Sequence, residues 1–273
     1  MTRPATPSPA APSLSDLHRD VGGVAGVFSG KADAYAASRP DYPAALYDAL
    51  EARGFLPPSS DVADLGAGTG LFARALLERG HRVVAVDPSA PMRAVADAAL
   101  SGFPGYRSIA GTAEHSGLPD ASVDLVTAAQ AFHWFRVNQA RAECLRILRP
   151  GGLVALVWND REPAAPVNGA LDSLFLAFGG DKRRAMATAG ERREVPAFFR
   201  GGEIATLTFA HAHRLDALAL EGLAFSRSYM PAPDSEEGRK ARTQIADIFA
   251  AHAEGGMVTI PYETVAIVGR PHA

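Results

Sequence analysis

"VADLGAGTGLFARALLERGHRVVAVD", residues 62–87, carries the reading of the whole chain. Val62–Leu65 is short and apolar, and Arg82–Val86 is a continuous β-branched run, as expected of strands covered on both faces. Between them "LFARALLER" follows helical spacing and stops at Gly80, a residue suited to a left-handed cap. Gly66, Gly68 and Gly70 allow a tight turn and a close approach of backbone to ligand. The helix that follows points its N-terminus at the same place. The dinucleotide fingerprint G-x-G-x-x-G/A is not met, because its last position falls on Leu71. The spacing is G-x-G-x-G instead, with Asp64 two residues ahead. A carboxylate facing the cradle is awkward for a pyrophosphate and suits a cationic ligand. Asp87 ends the second strand about 20 residues after the first glycine, where an acidic side chain takes both hydroxyls of a ribose. NAD and other adenosine ligands share that last feature, so it does not choose between them.

Outward from this unit the alternation continues. Ser89 is placed to cap a helix whose apolar positions are Met92, Val95, Ala96 and Ala99. "YRSIA" (106–110), "VDLVTAA" (123–129) and "LVALVW" (153–158) read as strands, and Val137–Leu148 as a helix ended by the breaker "RPGG". Strand and helix alternating at this spacing imply a doubly wound α/β fold with right-handed crossovers. Ligands of such sheets lie outside the C-terminal ends of the strands. The positions to inspect are therefore Asp64–Gly70, Asp87, Thr112–Glu114, Gln130–Trp134 and Asn159. Residues 161–200 hold a helical stretch and the basic loop "DKRRAMATAGERRE", 203–209 a strand, and 215–252 two helical patterns. "MVTIPYETVAIVG" closes as a long strand. No linker divides residues 23–273, which read as one domain with a helical cover from 161–200 and 210–256.

Composition bounds the function. Hydrophobic residues at 47% and charged residues at 21% over 273 residues describe a globular protein with a full core. A net charge of -3 with no dense basic run weighs against nucleic acid as partner. The lone Cys144 excludes an internal disulfide and a cysteine-built zinc site, and it falls on the apolar face of its helix. Residues 1–22, rich in Pro, Ala, Ser and Thr, read as a disordered tail with no secretory core. No window approaches the roughly 18 apolar residues of a membrane span. The expectation is a cytoplasmic monomer or homodimer that binds no metal and no membrane.

The motif block of residues 62–92 resembles the first two motifs of the class I S-adenosylmethionine-dependent methyltransferases. The likeness continues through "GTAEHSGLPDASVDLVTAAQAFHWF", "ECLRILRPGGLVALVW" and, upstream, "FSGKADAYAASRPDYP" (28–43). These stretches together resemble the small-molecule, trans-aconitate methyltransferase-like branch. The resemblance implies a Rossmann-like, mostly parallel seven-stranded sheet with helices on both faces and an antiparallel C-terminal strand. It implies S-adenosylmethionine as cofactor and a small molecule as acceptor. Asp64 would accept the methionine amino group, with Gly66 and Gly68 under the cofactor and Asp87 on the ribose. Met92 would pack on the adenine, Ala113 and Glu114 would meet its edge, and Gln130 would line the methionine end. Thr112 stands where many relatives carry Asp. Tyr35 and Arg39 would close over the methionine carboxylate, Arg39 also reading as a structural arginine before Pro40.

Methyl transfer from a sulfonium asks chiefly for alignment and exclusion of water. A base matters only for a nucleophile that holds a proton at neutral pH. His133, in "AQAFHWF" just past the fourth strand, is the candidate base. Its other reading is a residue that shapes the pocket beside Trp134. "QAFHWF" replaces the Asn-Pro-Pro-aromatic motif of amide and nucleobase N-methylation. Trp158, Asn159, His211, His213 and Tyr229 are further candidates for the acceptor pocket, which spacing does not rank. The competing readings are an NAD-binding oxidoreductase, disfavoured by Leu71 and Asp64, and a non-methylating cofactor-binding protein.

Overall fold

The computed structural model describes residues 38–189 and 192–272. The proline-rich opening, and Tyr35 with it, lie outside the described residues. α1 (Ala44–Ala52) precedes β1 (Asp61–Leu65), α2 (Leu71–Glu78), β2 (Arg82–Asp87), α3 (Ala90–Leu100) and β3 (Tyr106–Ala110). β4 (Val123–Ala129), a 3-10 turn at Phe132–Trp134, α4 (Val137–Ile147) and β5 (Leu148–Arg161) follow. α5 (Pro166–Ala189), α6 (Val195–Phe199), β6 (Ile204–Leu215), α7 (Ala217–Phe225), α8 (Glu236–His252) and β7 (Val258–Gly269) complete the order.

The seven strands form one sheet in the order β3-β2-β1-β4-β5-β7-β6. β1 to β5 pair in parallel, and β7 runs antiparallel to both β5 and β6. The sheet is thus the mostly parallel, doubly wound one with an antiparallel C-terminal strand. β1 is buried from Val62 to Leu65, and β4 keeps Leu125–Ala128 buried. Helices covering both faces leave no room for polar alternation there. One face packs Ala140, Cys144 and Ile147 of α4 and Phe198 of α6 against Trp158 and Val126. The other packs Leu46 and Leu50 of α1 and Phe72 and Leu76 of α2 against Val62 and Leu125. A third cluster joins α5, α7 and α8 to Leu215, Val258 and Tyr262, at the end of β7 where the parallel strands finish.

Four local expectations are corrected. β5 begins at Leu148 rather than Leu153, because Leu148 already has extended dihedrals and "RPGG" continues as strand instead of breaking it. β6 runs to Leu215 rather than 209, its residues 210–215 paired with Glu263–Val258 of β7. On this edge strand alternate residues face solvent, which gave "AHAHR" the look of a loop. Residues 181–189 of the basic stretch are helical, continuing α5 past a break at Gly180. Ser89 holds the N-cap position of α3, but its side chain makes no cap bond; Asp87 Oδ1 accepts the Ser89 N–H instead, at 2.8 Å.

Candidate functional site

β1 and β4 are neighbours whose crossovers leave in opposite directions, since β2 and β3 lie on one side and β5 to β7 on the other. Such a switch point opens a crevice at the strand ends. Register places Asp64 of β1 beside Thr127 of β4, and the Thr127 hydroxyl donates to Asp64 Oδ1 at 2.7 Å. Asp64 is 1% exposed, and its Oδ2 has no hydrogen-bond partner among the described residues. Burial pushes its pKa from 3.8 up to about 7; the Thr127 bond opposes the rise and the negative Asp87 adds to it. Asp87 is also raised by burial, against the pull of two backbone donors. Its Oδ2 accepts the Gly68 N–H at 2.9 Å and its Oδ1 the Ser89 N–H.

The glycine turn between these carboxylates has little latitude. Gly66 sits at φ +71°, and a Cβ there would lie 2.6 Å from the Ala131 Cβ. The backbone thereby approaches the segment after β4 more closely than any side chain allows. At Gly68 a Cβ would meet nothing within 4 Å, so that face of the turn is open.

One cavity of about 440 Å³ spans the crevice. Asp64, Gly66 and Gly68 line it, with Asp87 and Met92 from the β2 side and Ala113 and Glu114 from the loop after β3. Gln130, ending β4, and Arg39, ahead of α1, also line it. All the residues expected at the cofactor meet there except Tyr35, which lies outside the described residues. The Glu114 carboxylate accepts the Arg136 N–H at 2.7 Å and so ties two loops of the cavity together. Gln130 takes φ +54°, strained for a residue with a side chain. It is held by its N–H donating to Val157 O at 2.8 Å and its Nε2 to Asn159 O at 3.0 Å. Arg39 Nη2 donates to the Ser226 carbonyl, 3.4 Å away, at the end of α7.

His133 is not among the residues that line the cavity. It rides the Phe132–Trp134 turn, its ring 5.3 Å from that of Trp134, and Trp134 forms the wall. Of the five acceptor candidates only Asn159 lines the cavity. Trp158 is fully buried in the core against Phe132. The structure adds Tyr42, Phe135, Arg227 and Tyr262 to the wall. Cys144 is buried and its thiol pKa is raised by burial, as befits a core residue. Among the described residues no three His, Cys, Asp or Glu side chains gather as a metal site would, and no helix is long and apolar enough to cross a membrane.

These residues fit an amino-acid nucleoside. A buried carboxylate oxygen without a donor answers an ammonium, a second carboxylate at the end of β2 answers a ribose, and the open face of Gly68 leaves space between them. Fold and site together define a nucleoside-binding α/β protein of the class I methyltransferase type. A family model described as a methyltransferase domain matches residues 63–156. An uncharacterized methyltransferase of Mycobacterium tuberculosis is 34% identical over 250 residues, covering 88% of this chain and 93% of the relative. A malonyl-[acyl-carrier protein] O-methyltransferase of Serratia marcescens is 31% identical over 196 residues, covering 70% of this chain and 68% of the relative. A solved structure of a putative type II methyltransferase from Anaeromyxobacter dehalogenans shares 27% identity at a TM-score of 0.61, covering 86% and 99% of the two chains. The chain belongs to the methyltransferase family, as an S-adenosylmethionine-dependent enzyme of class I.

Proposed function

We propose that this enzyme methylates a small-molecule acceptor at oxygen, a carboxyl before a hydroxyl, by in-line displacement. The cofactor half of the reading is carried by one observation: Asp64 Oδ2, buried and without a donor among the described residues, on the wall of the cavity that also holds Asp87 and the glycine turn. In this reading Asp64 takes the methionine ammonium and Asp87 the ribose hydroxyls. Met92 packs on the adenine and Ala113 and Glu114 flank its edge. Gln130 borders the methionine end, with Arg39, and Tyr35 beyond the described residues, toward its carboxylate. Bound there, S-adenosylmethionine supplies an activated methyl group on a sulfonium leaving group. The chain's own work is to orient an acceptor oxygen behind that methyl and to keep water out, which supplies several kcal/mol by proximity alone.

A carboxyl acceptor is favoured on two grounds. It is ionised at neutral pH and needs no base, in keeping with a His133 that lies off the cavity wall. The Serratia marcescens relative is named a malonyl-[acyl-carrier protein] O-methyltransferase. His133 then serves by holding the turn that presents Trp134. We read residues 23–273 as one domain, in a cytoplasmic protein of the small-molecule branch. The test is transfer of label from methyl-labelled S-adenosylmethionine to panels of carboxylic acids, alcohols and amines. Label in a base-labile ester is the expected product, and label confined to amines would overturn the choice of oxygen.

A further inference from the structure

Because β7 is antiparallel to β5, its first residues open at the ligand edge, where β5 ends. Tyr262 is one of them. It lines the cavity and is 4% exposed, and its hydroxyl has no hydrogen-bond partner among the described residues. An idle hydroxyl at such depth has lost its water and gained no partner, so its position calls for a ligand. In the sheet Tyr262 lies opposite Arg161 of β5. Arg161 Nη2 donates to Asp172 of α5, while its buried Nη1 has no partner among the described residues. The guanidinium of Arg161 stands 5.0 Å from the centre of the Phe175 ring, and that of Arg227 stands 5.6 Å from the same ring. Arg227 lines the cavity as well.

Two guanidinium groups are therefore gathered on one aromatic ring, and one of them, Arg227, shares the cavity wall with the buried hydroxyl. Burial first, and then the charge of Arg227, lowers the pKa of Arg161, while its partner Asp172 opposes the fall. A guanidinium remains charged through any such shift. An anion in the cavity that meets both the Tyr262 hydroxyl and Arg227 offers one oxygen to a phenolic donor and another to a guanidinium fork, as a carboxylate does.

The geometry points to a carboxylate-binding subsite on the acceptor side of the cavity, formed by Tyr262 Oη and Arg227 with Arg161 behind them. The methyl acceptor is accordingly a small carboxylic acid recognised through its anion. This rests on the methyl-transfer reading above and goes beyond it in assigning the acceptor's recognition group. The same chemistry has a second source, the carboxylate of the cofactor's own methionine, and the experiment separates the two.

The full chain, saturated with S-adenosylhomocysteine, is titrated calorimetrically with succinate and benzoate and with their uncharged partners succinamide and benzamide. The expected result is binding of at least one acid with its amide about tenfold weaker or worse, the loss typical of removing a hydrogen bond to a charged group. Tyr262→Phe, a change that keeps the packed ring, then weakens the acid by about tenfold and leaves S-adenosylhomocysteine affinity within about twofold. Equal binding of acids and amides, no binding of any probe, or acid binding unmoved by Tyr262→Phe would each overturn the proposal. So would a Tyr262→Phe loss of S-adenosylhomocysteine affinity, which assigns the carboxylate to the cofactor and leaves the methyltransferase reading intact. A wild-type chain that does not bind S-adenosylhomocysteine would strike the underlying reading itself.

Discussion

Replacing Asp64 by Asn is expected to stabilise the protein and to abolish cofactor binding together. Asp64 ionises near pH 7 in the folded state against 3.8 for a free side chain, because its carboxylate is fully buried with Thr127 as its one donor among the described residues. The folded state thus keeps a proton that the unfolded chain has lost over the window from 3.8 to about 7. Stability falls as pH rises through that window, and the cost is complete above it. Rather more than three pKa units correspond to about 4 kcal/mol. Asn retains the Thr127 contact through its carbonyl but leaves its amide without a partner, at about 1–3 kcal/mol. The net gain is about 1–3 kcal/mol at about pH 8 and turns into a loss of about 1–3 kcal/mol toward about pH 4, where wild-type Asp64 is itself neutral and only the amide's cost remains. Urea unfolding at the two pH values measures the difference, and calorimetry with S-adenosylhomocysteine measures the function. Wild-type affinity falls about tenfold per pH unit below about pH 7, since the ammonium requires the ionised carboxylate. Equal destabilisation of Asp64→Asn at both pH values, or undiminished binding by it, would refute the reasoning.

Three further outcomes follow from neighbouring contacts. Gly66→Ala combines a left-handed φ with a Cβ 2.6 Å from Ala131; it loses about 2–4 kcal/mol in denaturant unfolding, with cofactor binding lost by calorimetry. Thr127→Val removes the hydroxyl that bonds Asp64. It destabilises by about 1–3 kcal/mol at about pH 8 and moves the pH midpoint of S-adenosylhomocysteine binding upward. His133→Ala keeps kcat within about threefold, and a loss of about a hundredfold at saturating substrate would restore His133 as a base.

How far the sequence led depended on whether local pattern or distant pairing decided the outcome. The ranges 106–110 and 123–129 were legible to the residue, because strand and helix alternate regularly along this part of the chain. Asp64, Asp87 and the glycine turn were legible because one βαβ unit holds all three. The start of β5 was not, since "RPGG" breaks a helix locally yet pairs as strand once β4 lies beside it. Tyr262 was missed for a topological reason. In an antiparallel strand it is the beginning, not the end, that reaches the ligand edge, and the direction of β7 is set by pairing with β5. Arg227 follows α7, and only tertiary packing brings it to the cavity. His133 failed to reach the wall because the 3-10 turn gives that place to Trp134.

The most direct test of the account is a crystal structure of the full chain with S-adenosylhomocysteine. The account predicts the amino group within about 3 Å of Asp64 Oδ2 and the ribose hydroxyls at similar distance from Asp87. A ligand whose amino group lies away from Asp64, with Oδ2 still lacking a donor, would contradict it.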